Sequence, residues 1–318
     1  VQAYIIRRLL ALIPTLIFAS IIVFTTVRLI PGDIIDMMLS QNDISASKMD
    51  REALMATLGL DKPMWSQYLT WIGDLFKGDM GNSLWQSTPV TERLAQRIPV
   101  TFELGVLAIL IGLMIALPVG VYSAIRQDTA GDYIARSFSI LLLAIPSFWL
   151  GTMVVVIPSI LWGWSPEVSY IPFWEDPWGN LKQMLVPAAV LGAALSAVTM
   201  RMTRTMMLEV LRQDYIRTAT AKGLPERLVV FRHALRNALI PVVTLIGLQA
   251  PLVIGGAVII EQIFGIPGMG TLLLDAVSQR DYPVITGVFL VVGLAVMLIN
   301  LLVDLSYGLL DPRVRVRS

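Results

Sequence analysis

No cysteine occurs among the 318 residues, and histidine occurs once, at His233. The first absence excludes disulfides and cysteine-ligated metals, and a lone histidine within a basic loop reads as a surface or interface side chain. Charge is scarce as well. Asp, Glu, Lys and Arg make up 15% of the chain, against about a quarter in an average soluble protein. Hydrophobic residues fill the deficit at 56%, with a mean hydropathy of +0.72. That balance describes a polytopic membrane protein rather than a soluble domain. A net charge of +1 and a pI near 8.1 say nothing about nucleic acid, since the basic residues are sorted by membrane side instead, and no nucleic-acid partner is expected. The chain also lacks a Gly-x-x-x-x-Gly-Lys-Ser/Thr phosphate loop and a His-Glu-x-x-His helix. With no nucleophile and base pair standing out, the sequence offers no catalytic residue, no cofactor and no metal site, and no enzyme is expected.

What is abundant is long apolar sequence. A helix needs about 20 mostly apolar residues to cross the hydrocarbon. Six stretches meet this, at 9–27, 104–125, 137–162, 184–200, 238–260 and 284–303, and none contains a formal charge. The expected fold class is therefore all-α, with six transmembrane helices. Pro14, Pro118, Pro146, Pro187, Pro241 and Pro251 lie within the spans, where neighbouring helices, polar side chains or water satisfy the freed carbonyls. The first stretch follows Arg7 and Arg8. Its 19 uncharged residues exceed a usual signal-peptide core, so it reads as a retained helix. Three divisions follow: an N-terminal helix at 1–30, an external segment at 31–97, and a five-helix core at 98–318. The external segment is rich in polar residues, its glycine-rich stretch around Gly73, Gly78 and Gly81 suggests short helices and turns, and Leu54, Leu58 and Leu60 form a small apolar contact. Without disulfides or metal it is too small to fold alone, and is expected to pack on helix ends or a partner.

Basic residues are sorted by side. With the amino terminus inside, 15 of the 24 Lys and Arg fall on cytoplasmic segments. Most of the remainder lie at Arg28 or in the long segment after it, which translocates largely regardless of charge. Both termini are thus expected in the cytoplasm. Trp162, Trp164, Trp174 and Trp178 gather in the opposite, outer loop, where indole rings favour the headgroup zone. The densest positive stretch is 201–236, with eight Lys and Arg against Glu209, Asp214 and Glu226. Leu208, Leu211, Tyr215 and Ala219 recur there at helical spacing. Gly223 is placed to end the helix, and Pro225 to start another. A compact helical protrusion results, which could rest on anionic lipid or dock a protein.

Small residues also recur at four-residue steps, at Gly112, Ala116 and Gly120 in the second span and at Ala188, Gly192 and Ser196 in the fourth. Such rows let helix backbones approach closely, or face a path for bulky cargo. Asn300 with Asp304, and Glu103 at the outer mouth of the second span, read as structural polar contacts.

The run Tyr215-Ile-Arg-Thr-Ala-Thr-Ala-Lys-Gly-Leu224, followed by Phe231-Arg-His-Ala-Leu-Arg-Asn-Ala-Leu-Ile-Pro241, resembles the permease subunits of ABC importers for dipeptides and oligopeptides. Arg28-Leu-Ile-Pro-Gly-Asp33, Leu58-Gly-Leu-Asp61, Gly78-Asp-Met-Gly81, Ile145-Pro-Ser-Phe-Trp149 and Phe264-Gly-Ile-Pro-Gly-Met-Gly270 extend the resemblance over nearly the whole chain in order. The wider family carries a Glu-Ala-Ala, three residues, Gly pattern. Aligned on Gly223, this chain has Arg217, Thr218 and Ala219 at the triplet, so the glutamate is missing, as is the later Ile-x-Leu-Pro ending, where His233, Leu235 and Arg236 stand.

The resemblance implies a type I ABC importer permease fold in a bacterial or archaeal plasma membrane. It implies three partners besides the lipid bilayer: separate ATPase (nucleotide-binding) subunits, a second homologous permease subunit and an extracytoplasmic substrate-binding protein. It also implies that Tyr215, Arg217, Thr218, Ala219, Ala221, Lys222, Gly223 and Leu224 form the loop on which an ATPase docks. Short peptides are the implied substrate, with nickel complexes, glutathione or sugars carried by relatives of the same branch. A secondary transporter is the rival class. It would place ionisable coupling residues near the midplane, and the six apolar stretches have none.

Overall fold

The computed structural model describes residues 2–29, 55–56, 61–167 and 169–310, with side chains over 10–29, 55–56, 61–167 and 169–303. Among these residues the long elements are all helical. They are α1 (Gln2–Arg28), α2 (Met64–Phe76), α3 (Val90–Ile125), α4 (Ala130–Ala144), α5 (Ser147–Trp162), α6 (Pro177–Leu211), α7 (Asp214–Ala221), α8 (Arg236–Phe264), α9 (Met269–Gln279) and α10 (Tyr282–Leu310). An isolated antiparallel bridge joins Asn82 and Pro89.

Five of the helical stretches are long and apolar enough to cross a membrane, and six if α4 and α5 count as one broken span. The stretch expected as one helix over 137–162 is not continuous, because α4 and α5 meet at 95°. Ile145 is extended at φ −86°, ψ 120°, as a residue before proline prefers, and Pro146 then caps α5. Pro118, Pro187, Pro241 and Pro251 instead lie inside unbroken helices. The helix expected over 184–200 continues to Leu211, so Arg201 and Arg204 belong to α6 rather than to a loop. Likewise, residues 90–97, expected in the external segment, already form the first turns of α3.

The chain forms two compact units, one built on Pro99–Thr271, the other on Leu9–Ile98 with Leu272–Ala295. In the first, α3, α6 and α8 share a core of Leu104, Ala108, Met184, Leu191, Leu195, Val253, Ala257 and Ile260. The rows of small residues meet here. A Cβ on Gly192 would stand 2.4 Å from the carbonyl oxygen of Ala108, and one on Gly120 would stand 2.8 Å from that of Met200. The stripes therefore serve close backbone packing between α3 and α6.

The Phe264–Gly270 motif makes the turn between α8 and α9. Gly265, at φ +66°, ends α8 in the left-handed conformation. The fully buried Glu261 carboxylate then receives Gly270 N at 2.7 Å and Thr271 N at 3.1 Å from the first turn of α9, with Thr101 Oγ1 donating at 2.5 Å. A Cβ on Gly268 would meet that carboxylate at 2.2 Å. The glycine spacing thus makes room for a buried anion at a helix N-terminus.

In the second unit, Gly78 and Gly81 adopt φ +83° and +80° in the turn that follows α2. The next loop is held by fully buried Asp281, which accepts from Ser83 Oγ at 2.5 Å and Leu84 N at 3.2 Å and pairs with Arg93 at 3.7 Å. Trp85 Nε1 donates to the Gln279 carbonyl at 2.7 Å. The expected contact of Leu54, Leu58 and Leu60 lies outside the described residues, as does the side chain of Asp304 expected beside Asn300.

Candidate functional site

The basic stretch folds as a protrusion between α6 and α8. Helix α6 ends at Arg212, and Gln213, extended at φ −72°, ψ 147°, reopens the chain for the eight-residue α7. Leu208 and Leu211 therefore lie on a different helix from Tyr215 and Ala219, and the four do not form one continuous face. The residue that pins α7 is Ile216, which is 4% exposed. It joins a cluster with Val121 and Ala124 of α3, Met207 of α6, and Val229, Val230, Ala234 and Ala238 beyond the turn.

Gly223 ends the protrusion at φ +79°, a conformation that costs a residue with a Cβ on the order of 1–2 kcal/mol. The Gly223 N–H reaches the Thr220 carbonyl at 2.9 Å. Pro225 then precedes a single turn, Glu226–Leu228, at the cap position rather than inside that turn. Val229–Leu235 continues as a π-helix and runs into α8. Such wide turns are rare and concentrate at functional sites.

The eight expected site residues divide by exposure. Tyr215, Arg217, Thr218, Ala221, Lys222 and Gly223 are exposed, whereas Ala219 and Leu224 are half-buried against the Ile216 cluster. Tyr215 is not a bare surface ring, because its hydroxyl accepts from Asn237 Nδ2 at 2.9 Å. Arg217 pairs loosely with Asp214 at 3.4 Å, both well exposed. Beside α7, Pro225, Arg227, Leu228, Phe231 and Arg232 line a shallow groove in which Phe231 is 55% exposed. Helical spacing put Tyr215 on one face with Leu208, Leu211 and Ala219, yet the buried residue of α7 is its neighbour. Ile216 is buried there because the break at Arg212–Gln213 resets the phase of the helix.

Behind the protrusion lies a second feature that charge counting misassigned. Arg204, counted among the basic residues of the loop, points inward and grips Asp132 of α4 through Nε and Nη2, both at 2.8 Å. Asp132 is fully buried. It also accepts from Ser123 Oγ and from Asp128 N at 3.0 Å, with Arg136 at 3.6 Å. The two-pronged pair fastens α4 to α6, three residues before Met207 enters the Ile216 cluster. No local pattern signals it, since the partners stand 72 residues apart.

In the outer loop, the Tyr170 hydroxyl donates to Glu103 Oε2 at 2.8 Å, the structural pairing expected for Glu103. Burial pushes the Tyr170 phenol well above its ordinary value, and the hydrogen bond to and charge of Glu103 push it further in the same direction.

Residues 116–316 match the family model described as the inner membrane component of binding-protein-dependent transport systems, and residues 1–105 match the model of its N-terminal part. The chain belongs to this permease family. The permease is 42% identical to the dipeptide transport system permease protein DppB of Escherichia coli (strain K12), with 98% of each chain covered. It is equally 42% identical to the oligopeptide transport system permease protein AppB of Bacillus subtilis (strain 168), covering 98% of this chain and 99% of that one. Among solved structures, an inward-facing form of the MetNI methionine ABC transporter aligns with a TM-score of 0.56 at 18% identity, covering 69% of the permease and 96% of that chain. An amino acid ABC transporter aligns with a TM-score of 0.50 at 14% identity. These likenesses establish the helical permease fold.

Proposed function

We propose that this permease forms the membrane path of an ATP-driven importer of short peptides, and that α7 with the Gly223 turn receives a separate ATPase subunit. The carrying observation is the protrusion itself. Arg217 and Lys222 stand exposed on α7 and at its end, Arg227 and Arg232 border a groove with an exposed Phe231, and Ile216 fastens α7 into the ends of three long helices. An element resting on lipid needs no such fastening. One that transmits force does, since a push on α7 reaches α3, α6 and α8 through the Ile216 cluster. Exposed basic side chains around an apolar centre suit a cleft rimmed by carboxylates.

Family membership supports the remaining parts of the reading. A second homologous permease completes the path, and an extracytoplasmic binding protein delivers substrate to the outer side. Two ATPase subunits drive alternating access from the cytoplasm, where both termini lie. Full-length similarity to dipeptide and oligopeptide permeases supports peptides as the cargo. Purification of the tagged permease from native membranes in mild detergent, with mass spectrometry of its companions, tests the assembly. Recovery of ATPase subunits and a second permease is expected. A chain recovered alone, under conditions that keep known importers intact, would overturn it.

A further inference from the structure

The second compact unit holds a cavity of about 220 Å³ between the end of α1, helix α2, the Asp79–Gly81 turn and the start of α10. Its walls are aromatic and aliphatic at Phe24, Trp71, Met80, Tyr282 and Pro283. Its polar side is built around Arg28. That guanidinium lies 5.0 Å from the Phe24 ring centre and 6.0 Å from that of Tyr282, and Nη1 donates to Gln67 Oε1 at 2.6 Å. Gln67 is itself held, because its Nε2 donates to the Lys62 carbonyl at 2.8 Å. Arg28 is thus set in place by a neutral partner, and among the described residues it meets no carboxylate. A guanidinium carries five N–H donors, and among the described residues one hydrogen bond, to Gln67, uses them.

The acids that line the cavity are already engaged. Asp74 pairs with Lys77 at 2.9 Å, and Asp79 Oδ1 accepts from Gly81 N at 2.7 Å. Among the described residues, Arg28 and Lys62 therefore supply the charge at this cavity that no carboxylate meets, and it is positive. We propose that this cavity binds the carboxylate end of a short peptide, with Arg28 taking the carboxylate, Lys62 supporting it and Phe24, Trp71 and Tyr282 bordering the last side chain. The volume falls below the roughly 300–1,000 Å³ of sites that enclose a whole small ligand, so one end of a peptide fits and a long one extends out. A peptide also brings an ammonium, which Asp74 and Asp79 on the same rim favour and which an anionic lipid phosphate lacks. The proposal rests on the peptide-importer reading, and on the orientation above it faces the side from which substrate arrives.

The test uses the full permease complex in nanodiscs of neutral lipid, with alanyl-phenylalanine and its C-terminal amide as calorimetric ligands. The free acid is expected to bind about tenfold more tightly than the amide, the loss typical of one charge-assisted hydrogen bond. Arg28→Gln is expected to abolish the difference. Arg28→Lys keeps the charge but not the fork, and is expected to retain part of it, which guards against a misfolded variant. Equal affinities for acid and amide, no binding of either, or an acid preference that survives Arg28→Gln would overturn the site. So would loss of peptide binding on adding inorganic phosphate or phosphatidylglycerol, which would give Arg28 to a free or lipid phosphate instead. Uptake of labelled alanyl-phenylalanine by cells separates the two readings. Uptake by wild type without acid preference removes this site alone, whereas absent uptake removes the peptide reading beneath it.

Discussion

Gly223 holds a backbone conformation that only glycine adopts without strain, yet a Cβ there would meet nothing within 4 Å. A substitution therefore acts through the turn and not through a clash. Gly223→Val is expected to leave membrane insertion and ATP hydrolysis in place while lowering uptake severalfold, because α7 no longer presents itself at the same angle. Uptake and hydrolysis measured on the same proteoliposomes decide this, and unchanged coupling would remove the docking role. Asp132 and Arg204 act differently, since both are largely withdrawn from water. Asp132→Asn or Arg204→Leu alone leaves a buried group without its partner and is expected to cost about 3–5 kcal/mol. The double variant is expected to lose much less than the sum, read from thermal unfolding in detergent as a double-mutant cycle. Tyr170 gives a pH signature. Its folded pKa is raised above the unfolded value of about 10. Its contribution to stability is therefore complete below pH 10 and lost as pH climbs beyond it, while the unfolded phenol ionises and the folded one does not. Replacement by phenylalanine is expected to flatten the stability profile above pH 10. An unaltered slope would show that the phenol titrates normally.

Helices α3 and α6 approach through glycine, and the approach is what a larger residue would undo. Gly192→Val places a methine carbon where the Ala108 carbonyl oxygen is 2.4 Å away, and backbone cannot yield as a side chain does. The cost is expected to exceed the roughly 1–3 kcal/mol of ordinary overpacking. Gly256→Ala meets only the Leu191 side chain, at 3.0 Å, and is expected to cost less. Thermal unfolding of the two variants compares them, and equal losses would refute the close-packing reading. These glycine rows were readable in the sequence because their four-residue spacing is a local property of one helix. The bend at Ile145–Pro146 was not, because several spans contain proline and most of those prolines lie inside continuous helices. Whether the carbonyls freed by a proline find other partners is decided by neighbouring elements. The same limit hid Ile216 and Asp132. The apolar spacing of Leu208, Leu211, Tyr215 and Ala219 runs unbroken through Arg212–Gln213, where the helix itself breaks. The partner of Arg204 is set by packing between helices that the sequence keeps far apart. Gly223, whose conformational demand is intrinsic, was readable at once.

At the scale of the whole molecule, the distribution of charge and tryptophan implies a direction through the membrane. The exposed basic face of the protrusion is expected on the cytoplasmic side, where positive charge accumulates. The loop bearing Trp164 and Trp174, both exposed, is expected on the other. Because the chain contains no cysteine, a single introduced thiol reports its side without background. Ala221→Cys and Trp174→Cys occupy exposed positions on the two faces and disturb no buried contact. A membrane-impermeant maleimide is expected to label Trp174→Cys in intact spheroplasts. It should label Ala221→Cys only in inside-out vesicles prepared without the ATPase subunits, which would otherwise cover it. Adding those subunits back is then expected to slow labelling at Ala221→Cys and leave Trp174→Cys untouched. The opposite sidedness would invert the molecule and with it both proposed sites, whereas correct sidedness without protection would keep the topology and remove the docking surface.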